Sequence, residues 1–157
     1  MTLPVPDPLR SLSGDLKPKL QRGVQVVAGH SLNRAAVAAL RLGLPVPPYA
    51  PGRALVLETF GRRTGKRRLT PMGCLRDGDL LLVVSEHGRQ ADWLRNALAA
   101  EKVRLWLAGK PHQAMVRVLG GSDPEELLQR MGSKVHTATI HAMAHEPCVV
   151  EFALEAG

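Results

Sequence analysis

The stretch Ala54-Leu55-Val56-Leu57-Glu58-Thr59-Phe60, Gly61-Arg62-Arg63-Thr64-Gly65-Lys66-Arg67-Arg68, Leu69-Thr70-Pro71-Met72-Gly73-Cys74-Leu75 reads as two strands joined by a basic turn. Short apolar and β-branched runs bounded by glycine are the ordinary signature of paired strands. The turn packs five cations and two glycines into eight residues. Glycine permits positive φ and close approach of a ligand to the backbone; arginine offers a planar fork to phosphate or carboxylate, and lysine a point charge. The residues by themselves leave two readings open, a solvated basic hairpin and an anion site.

Working outward, Arg53 to Phe60, Arg67 to Leu75 and Asp79 to Val84 predict three strands, the last pair joined by Arg76-Asp77-Gly78, whose Asp-Gly pair suits a primed turn. Ser85-Glu86-His87-Gly88-Arg89 reads as a loop and Ala91 to Ala100 as a short helix with Trp93, Leu94, Ala97 and Leu98 on one face. Val103 to Ala108 and Gln113 to Leu119 follow as strands around Gly109-Lys110-Pro111. A helix starts near Ser122-Asp123-Pro124 and runs to about Met131, and Cys148 to Leu154 closes as a strand. About six short strands with helices inserted late predict an antiparallel barrel or strongly curled sheet.

Prolines at positions 4, 6, 8 and 18 predict a loose arm over residues 1–23, and residues 24–157 a single domain. Val24 to Leu42 reads as a basic amphipathic helix, stopped by Gly43-Leu44-Pro45. It could cover the core or make peripheral contact with an anionic membrane; its modest apolar face favours the core.

The chain has 157 residues and a formal charge of +7, which favours anionic partners. Aromatic residues are only 3% of it, too few for the stacking platforms of single-strand nucleic-acid binders. Cys74 and Cys148 sit in apolar surroundings, as core residues of a reducing compartment do, and no signal peptide or membrane span is evident. A cytoplasmic protein is expected, membrane-associated only if the N-terminal helix makes that contact. No Gly-x-Ser-x-Gly elbow and no Gly-x-Gly-x-x-Gly turn occur. His136, His141 and His145 match no metal-binding spacing, and no metal is expected.

Asp92 can cap the helix that follows it, and Ser85 to Gly88 leaves backbone N–H groups at a strand end, where a planar heterocycle's carbonyls could be held. Taken together, Leu57 to Pro71, the Arg76 to Asp79 hairpin, Val83-Val84-Ser85 and Asp92-Trp93-Leu94-Arg95-Asn96 resemble the deazaflavin-dependent nitroreductase family over about residues 34–119. The resemblance implies an α+β fold, a predominantly antiparallel split β-barrel of the FMN-binding type with an N-terminal helix and short peripheral helices. It implies an oxidoreductase that passes a hydride between coenzyme F420, a deazaflavin with a phosphodiester and an oligoglutamate tail, and an electron-poor small-molecule substrate.

By that likeness Arg62, Arg63, Thr64, Gly65, Lys66 and Arg68 belong to the grip on phosphate and tail, and Thr70, Pro71 and Met72 lie along the cofactor. Ser85, Glu86, His87 and Gly88 bind the ring, and Trp93 and Asn96 brace that loop. The proton donor is left open among His87, His136 and His141. Barrels of this type often pair, which leaves a homodimer open though the residues mark no seam, and nucleic acid is not an expected partner. The chain departs from the family at Asp92, where members carry proline, and near the C-terminus, where the aromatic residues that members place over the substrate are missing and His136, His141 and Met143 stand in that region instead. The second reading is a non-catalytic module holding nucleic acid or anionic lipid, and the third a split barrel binding FMN or haem.

Overall fold

The computed structural model describes residues 33–47, 49 and 52–157. The expected arm over residues 1–23, and the expected helix up to residue 32, lie outside them. Residues 36–157 form one compact unit.

Its frame is a single antiparallel sheet of seven strands, β1 (Ala54–Phe60), β2 (Arg67–Gly73), β3 (Leu75–Asp77), β4 (Leu80–Ser85), β5 (Val103–Leu107), β6 (Lys110–Leu119) and β7 (Cys148–Leu154), ordered β2-β1-β5-β6-β7-β4-β3. The two edge strands, β2 and β3, are separated in sequence by Cys74 alone. Two Cα atoms two residues apart can be no more than about 7 Å from each other, so the sheet must roll until its edges meet. Because those edges do not pair, the barrel is split. The expected strand Arg67 to Leu75 thus breaks at Cys74, which raises the count from six to seven: the Cys74 N–H donates to Arg53 O at 2.9 Å instead of joining a ladder.

β1 is buried on both faces, which explains its near-continuous apolar run. Leu55 and Leu57 point into the barrel with Leu81, Val83, Leu105 and Phe152. Val56 points outward, beneath Val37 of α1 (33–41) and beside Trp106. Arg41 and Arg104 lie over the Trp106 ring at 4.5 and 4.9 Å, attracted by its negative π-face. Val37 and Leu40 of α1 are therefore spent on the barrel wall. Among the described residues, no helix is long and apolar enough to cross a membrane.

The β3–β4 turn is one residue later than expected. Asp77 pairs with Leu80, leaving Gly78-Asp79 as the loop, with Gly78 at φ 61° as a II′ turn requires at its first central position. The β5–β6 loop is likewise Ala108-Gly109, both at positive φ, so β6 begins at Lys110 and carries Pro111. Pro71 occupies edge strand β2, where its missing donor costs no ladder bond.

α2 (Asp92–Ala99) sets Leu94 and Ala97 into the barrel interior. α3 (Pro124–Met131) starts at an Asp123 cap and ends at Gly132, φ 70°. α4 (Lys134–Met143) begins at Ser133, whose Oγ accepts the His136 N–H at 3.2 Å. Leu127, Leu128, Met131 and Ile140 from these two helices cover the outward residues Val84 and Val149.

Candidate functional site

The β1–β2 turn is closed by its own backbone. The Gly61 N–H donates to Lys66 O at 2.8 Å and the Gly65 N–H to Gly61 O at 2.7 Å, with Gly65 at φ 66°. Thr64 Oγ1 accepts the Lys66 N–H at 3.3 Å. The glycine at 65 thus serves the turn's curvature.

The five cations are not equivalent. Arg67 pairs with Glu58 on the neighbouring strand. Arg62 is tied to α2: its backbone N–H and Nη1 donate to Asn96 Oδ1 at 3.2 and 3.0 Å, and Nη1 and Nη2 both lie 3.3 Å from Asp92 Oδ1. Arg63, Lys66 and Arg68 make no ion pair with another described residue. Asp92 is the first residue of its helix and not its cap, a correction to the expected role: Ala91 holds the cap position and no side chain caps there.

The loop after β4 is held from behind. Ser85 is fully buried and its hydroxyl donates to Gly88 O at 2.8 Å. Gly88 has φ 54°, and a Cβ on it would lie 2.1 Å from Glu146 O. The His145 N–H donates to Glu86 O at 2.7 Å. These contacts leave the N–H groups of Glu86, His87 and Gly88 without a backbone acceptor among the described residues.

Between the turn and α2 opens a cavity of about 560 Å³, within the range that takes a drug-sized ligand. Of the residues expected there, Arg62, Arg63, Thr64, Arg68 and Thr70 line one wall, and Glu86, His87, Trp93 and Asn96 the other. Six expected residues do not line it. Gly65 and Lys66 belong to the outer part of the turn. Pro71 follows Thr70 and, by strand alternation, faces the opposite side. Met72 packs on the barrel interior. Ser85 and Gly88 are spent on loop geometry, with Ser85 Oγ turned to a carbonyl.

Thr59, Gly61, Ala91 and Asp92 line the cavity without having been expected. Thr59 carries the strongest signal. It is 3% exposed, and its Oγ1 has no hydrogen-bond partner among the described residues. A buried hydroxyl without a partner costs free energy unless a ligand or water satisfies it. In sequence Thr59 is one more β-branched strand residue, so nothing marked it.

A second polar pair lies at the barrel seam. Tyr49 Oη and His136 Nδ1 are 2.8 Å apart, their rings in edge-to-face contact 5.3 Å between centroids. Gly73 makes this possible: a Cβ there would come within 2.6 Å of the Tyr49 ring. His136 Nε2 is buried without a partner among the described residues. Burial lowers the His136 pKa against an opposing pull from the Glu86 carboxylate. Burial first, then Glu86 and Cys74, raise that of Tyr49. Nearby Cys74 is pushed up to about 12 by burial and is a thiol at neutral pH.

His141 is engaged by Glu125 at 2.7 Å, away from the Tyr49 contact of His136. Among the described residues no group of three potential metal ligands gathers.

A model of the F420H(2)-dependent quinone reductase family matches residues 32–150. Among solved structures, HutZ, the haem storage protein of Vibrio cholerae, is 14% identical with a TM-score of 0.51, covering 68% of this chain and 84% of its own. An F420-H2 dependent reductase, FDR-A, is 17% identical with a TM-score of 0.50, covering 66% of this chain and 96% of its own. At these identities both speak for the fold alone. No curated protein sequence matches the chain.

Proposed function

The chain belongs to the F420H(2)-dependent quinone reductase family, and from that premise we propose that it passes a hydride equivalent from reduced coenzyme F420 to a quinone-class acceptor. It is an F420-dependent reductase, and F420 is its cofactor. The observation that carries the site assignment is the convergence, in one cavity, of two guanidiniums without an acid partner and a buried hydroxyl without a hydrogen-bond partner among the described residues. That donor set fits a ligand with an anionic tail and a polar head.

In this reading Arg63 and Arg68 hold the phosphodiester and the first carboxylate, and Lys66, exposed at the turn, serves the far end of the tail. Thr59 supplies a hydrogen bond at the cavity floor. The N–H groups of Glu86 and His87 face a ring carbonyl, held in place by the Ser85–Gly88 bond and the 145–146 segment behind them. Trp93 is stacked on Phe152 with centroids 6.3 Å apart, and Asn96 anchors Arg62, so α2 is a rigid wall. When bound, the reduced deazaflavin supplies two electrons and one proton.

Reduction of a quinone to the hydroquinone needs a second proton. The Tyr49–His136 pair holds two exchangeable hydrogens and uses only one between its members. The other sits on Tyr49 Oη or His136 Nε2, and this pair is the proton source in the proposed reaction. The free thiols of Cys74 and Cys148 support a cytoplasmic, reducing setting. Pairing of two copies is part of the same reading and is checked by sedimentation.

The test is oxidation of F420H2 by a simple naphthoquinone, followed by the return of F420 absorbance. Turnover above the protein-free rate is expected, with Tyr49→Phe losing rate at unchanged F420 affinity. Turnover no faster than without protein, in a preparation that binds F420, would remove quinones as substrates.

A further inference from the structure

Two carboxylates, Glu86 and Asp92, line the same cavity as the guanidiniums of Arg62, Arg63 and Arg68. A site built for a multiply charged anion has no evident use for an exposed acid inside it. Asp92 is that acid: its side chain is 83% exposed, and one of its oxygens lies 3.3 Å from both terminal nitrogens of Arg62. Such long contacts from an exposed carboxylate add little to stability.

Nor does Asp92 position Arg62. Asn96, itself 9% exposed, accepts both the Arg62 backbone N–H and Nη1, so the guanidinium stays in the cavity wall whichever way Asp92 turns. What Asp92 supplies is charge compensation, and an anionic ligand group would supply the same.

We propose that Asp92 is a specificity-determining residue, the protein's own counter-anion for Arg62, which competes with the anionic groups of the cofactor for that guanidinium. The proposal rests on the reading of this cavity as the F420 site. Arg63 and Arg68 have no acid partner among the described residues and receive the first anionic groups at no such cost. Arg62 becomes available only when Asp92 turns toward solvent, which its exposure permits. Further negative charge arriving there meets Asp92 as a like charge. The site therefore favours a ligand of limited anionic load, and Asp92 sets the limit.

The experiment is a fluorescence titration of wild type and Asp92→Asn with F420 and with a deazaflavin riboside that lacks phosphate and tail. Asp92→Asn keeps side-chain shape and leaves the Asn96 contacts intact. The expected result at low salt is about three- to tenfold tighter binding of F420 by Asp92→Asn, with affinity for the riboside unchanged. In an Arg62→Gln background the same substitution should lose most of its effect, which a change at the helix N-terminus alone would not do. Equal or weaker F420 binding by Asp92→Asn, beside normal binding by wild type, overturns the proposal alone. Failure of both proteins to bind F420 overturns the cofactor site and the proposal together.

Discussion

Gly88 sits where a side chain would collide with its neighbour: its φ is 54° and an added Cβ would lie 2.1 Å from the Glu146 carbonyl oxygen. Backbone atoms cannot swing aside as a flexible side chain can. Gly88→Ala is therefore expected to cost at least about 2 kcal/mol in urea unfolding, and to weaken cofactor binding because the loop carrying Glu86 and His87 moves. Thr59→Val should behave in the opposite manner. It removes an unpartnered buried hydroxyl, so stability is expected to hold or rise while F420 affinity falls by about tenfold. His136 predicts a pH effect. Its folded pKa lies below the unfolded value near 6.5, so the unfolded chain binds more protons as the solution is acidified. The contribution is present in full above that value and is lost as pH falls through and below it. Urea unfolding at a series of pH values should show this decline, and His136→Gln should flatten it. Sequence was a partial guide to single residues. Charge marked Arg63 and Arg68, and only the family resemblance gave Glu86 and His87 a role, but partnership decides which cation is spoken for, and the partners Asp92 and Asn96 of Arg62 come from a helix thirty or more positions away.

The turn between β1 and β2 was legible as an element because its glycines and cations stand between two apolar runs. Where a reading slipped, the reason is local. Arg67 to Leu75 looks like one strand, yet Cys74 is where the chain leaves one barrel edge for the other, and only closure of the sheet reveals this. α4 carries no helix signal in the sequence because Val135, Thr137, Thr139 and Ile140 are β-branched, and helix propensity argues against them. The helix is secured by the Ser133 cap and by Ile140 packed on α3 and the sheet. Ser133→Ala should accordingly cost about 1 kcal/mol in thermal or urea unfolding. The β5–β6 turn carries Ala108 at φ 49°, a conformation that suits glycine, while the neighbouring Gly109 leaves no room for a Cβ against Gly43, 2.9 Å away. Ala108→Gly is expected to raise the melting temperature, by relief of about 1 kcal/mol; Gly109→Ala should lower it.

Residues 36–157 form a rolled sheet, with the polar cavity between the β1–β2 turn and α2 and with α3 and α4 over Val84 and Val149. Its interior residues, Leu55, Leu57, Leu81, Leu105 and Phe152 among them, are fully buried, and each such side chain contributes about 1.5–3 kcal/mol over its exposed state. Cys74 lies inside this body. With its pKa near 12, it should resist a thiol reagent at neutral pH until the barrel unfolds, whereas the less buried Cys148 reacts first. The alternation of short strands with late helices made the barrel legible in the sequence. The cavity was not, because it exists only where the β1–β2 turn meets α2. The net charge of +7 adds a general attraction for anions that salt will screen. The decisive measurement for the cofactor site is therefore a titration of the purified protein with oxidised F420, followed by deazaflavin fluorescence at low and at moderate salt. Saturable binding in the micromolar range or tighter, persisting at moderate salt and weakened about tenfold or more by Arg68→Ala, is the predicted result; absence of saturable binding even at low salt would contradict it.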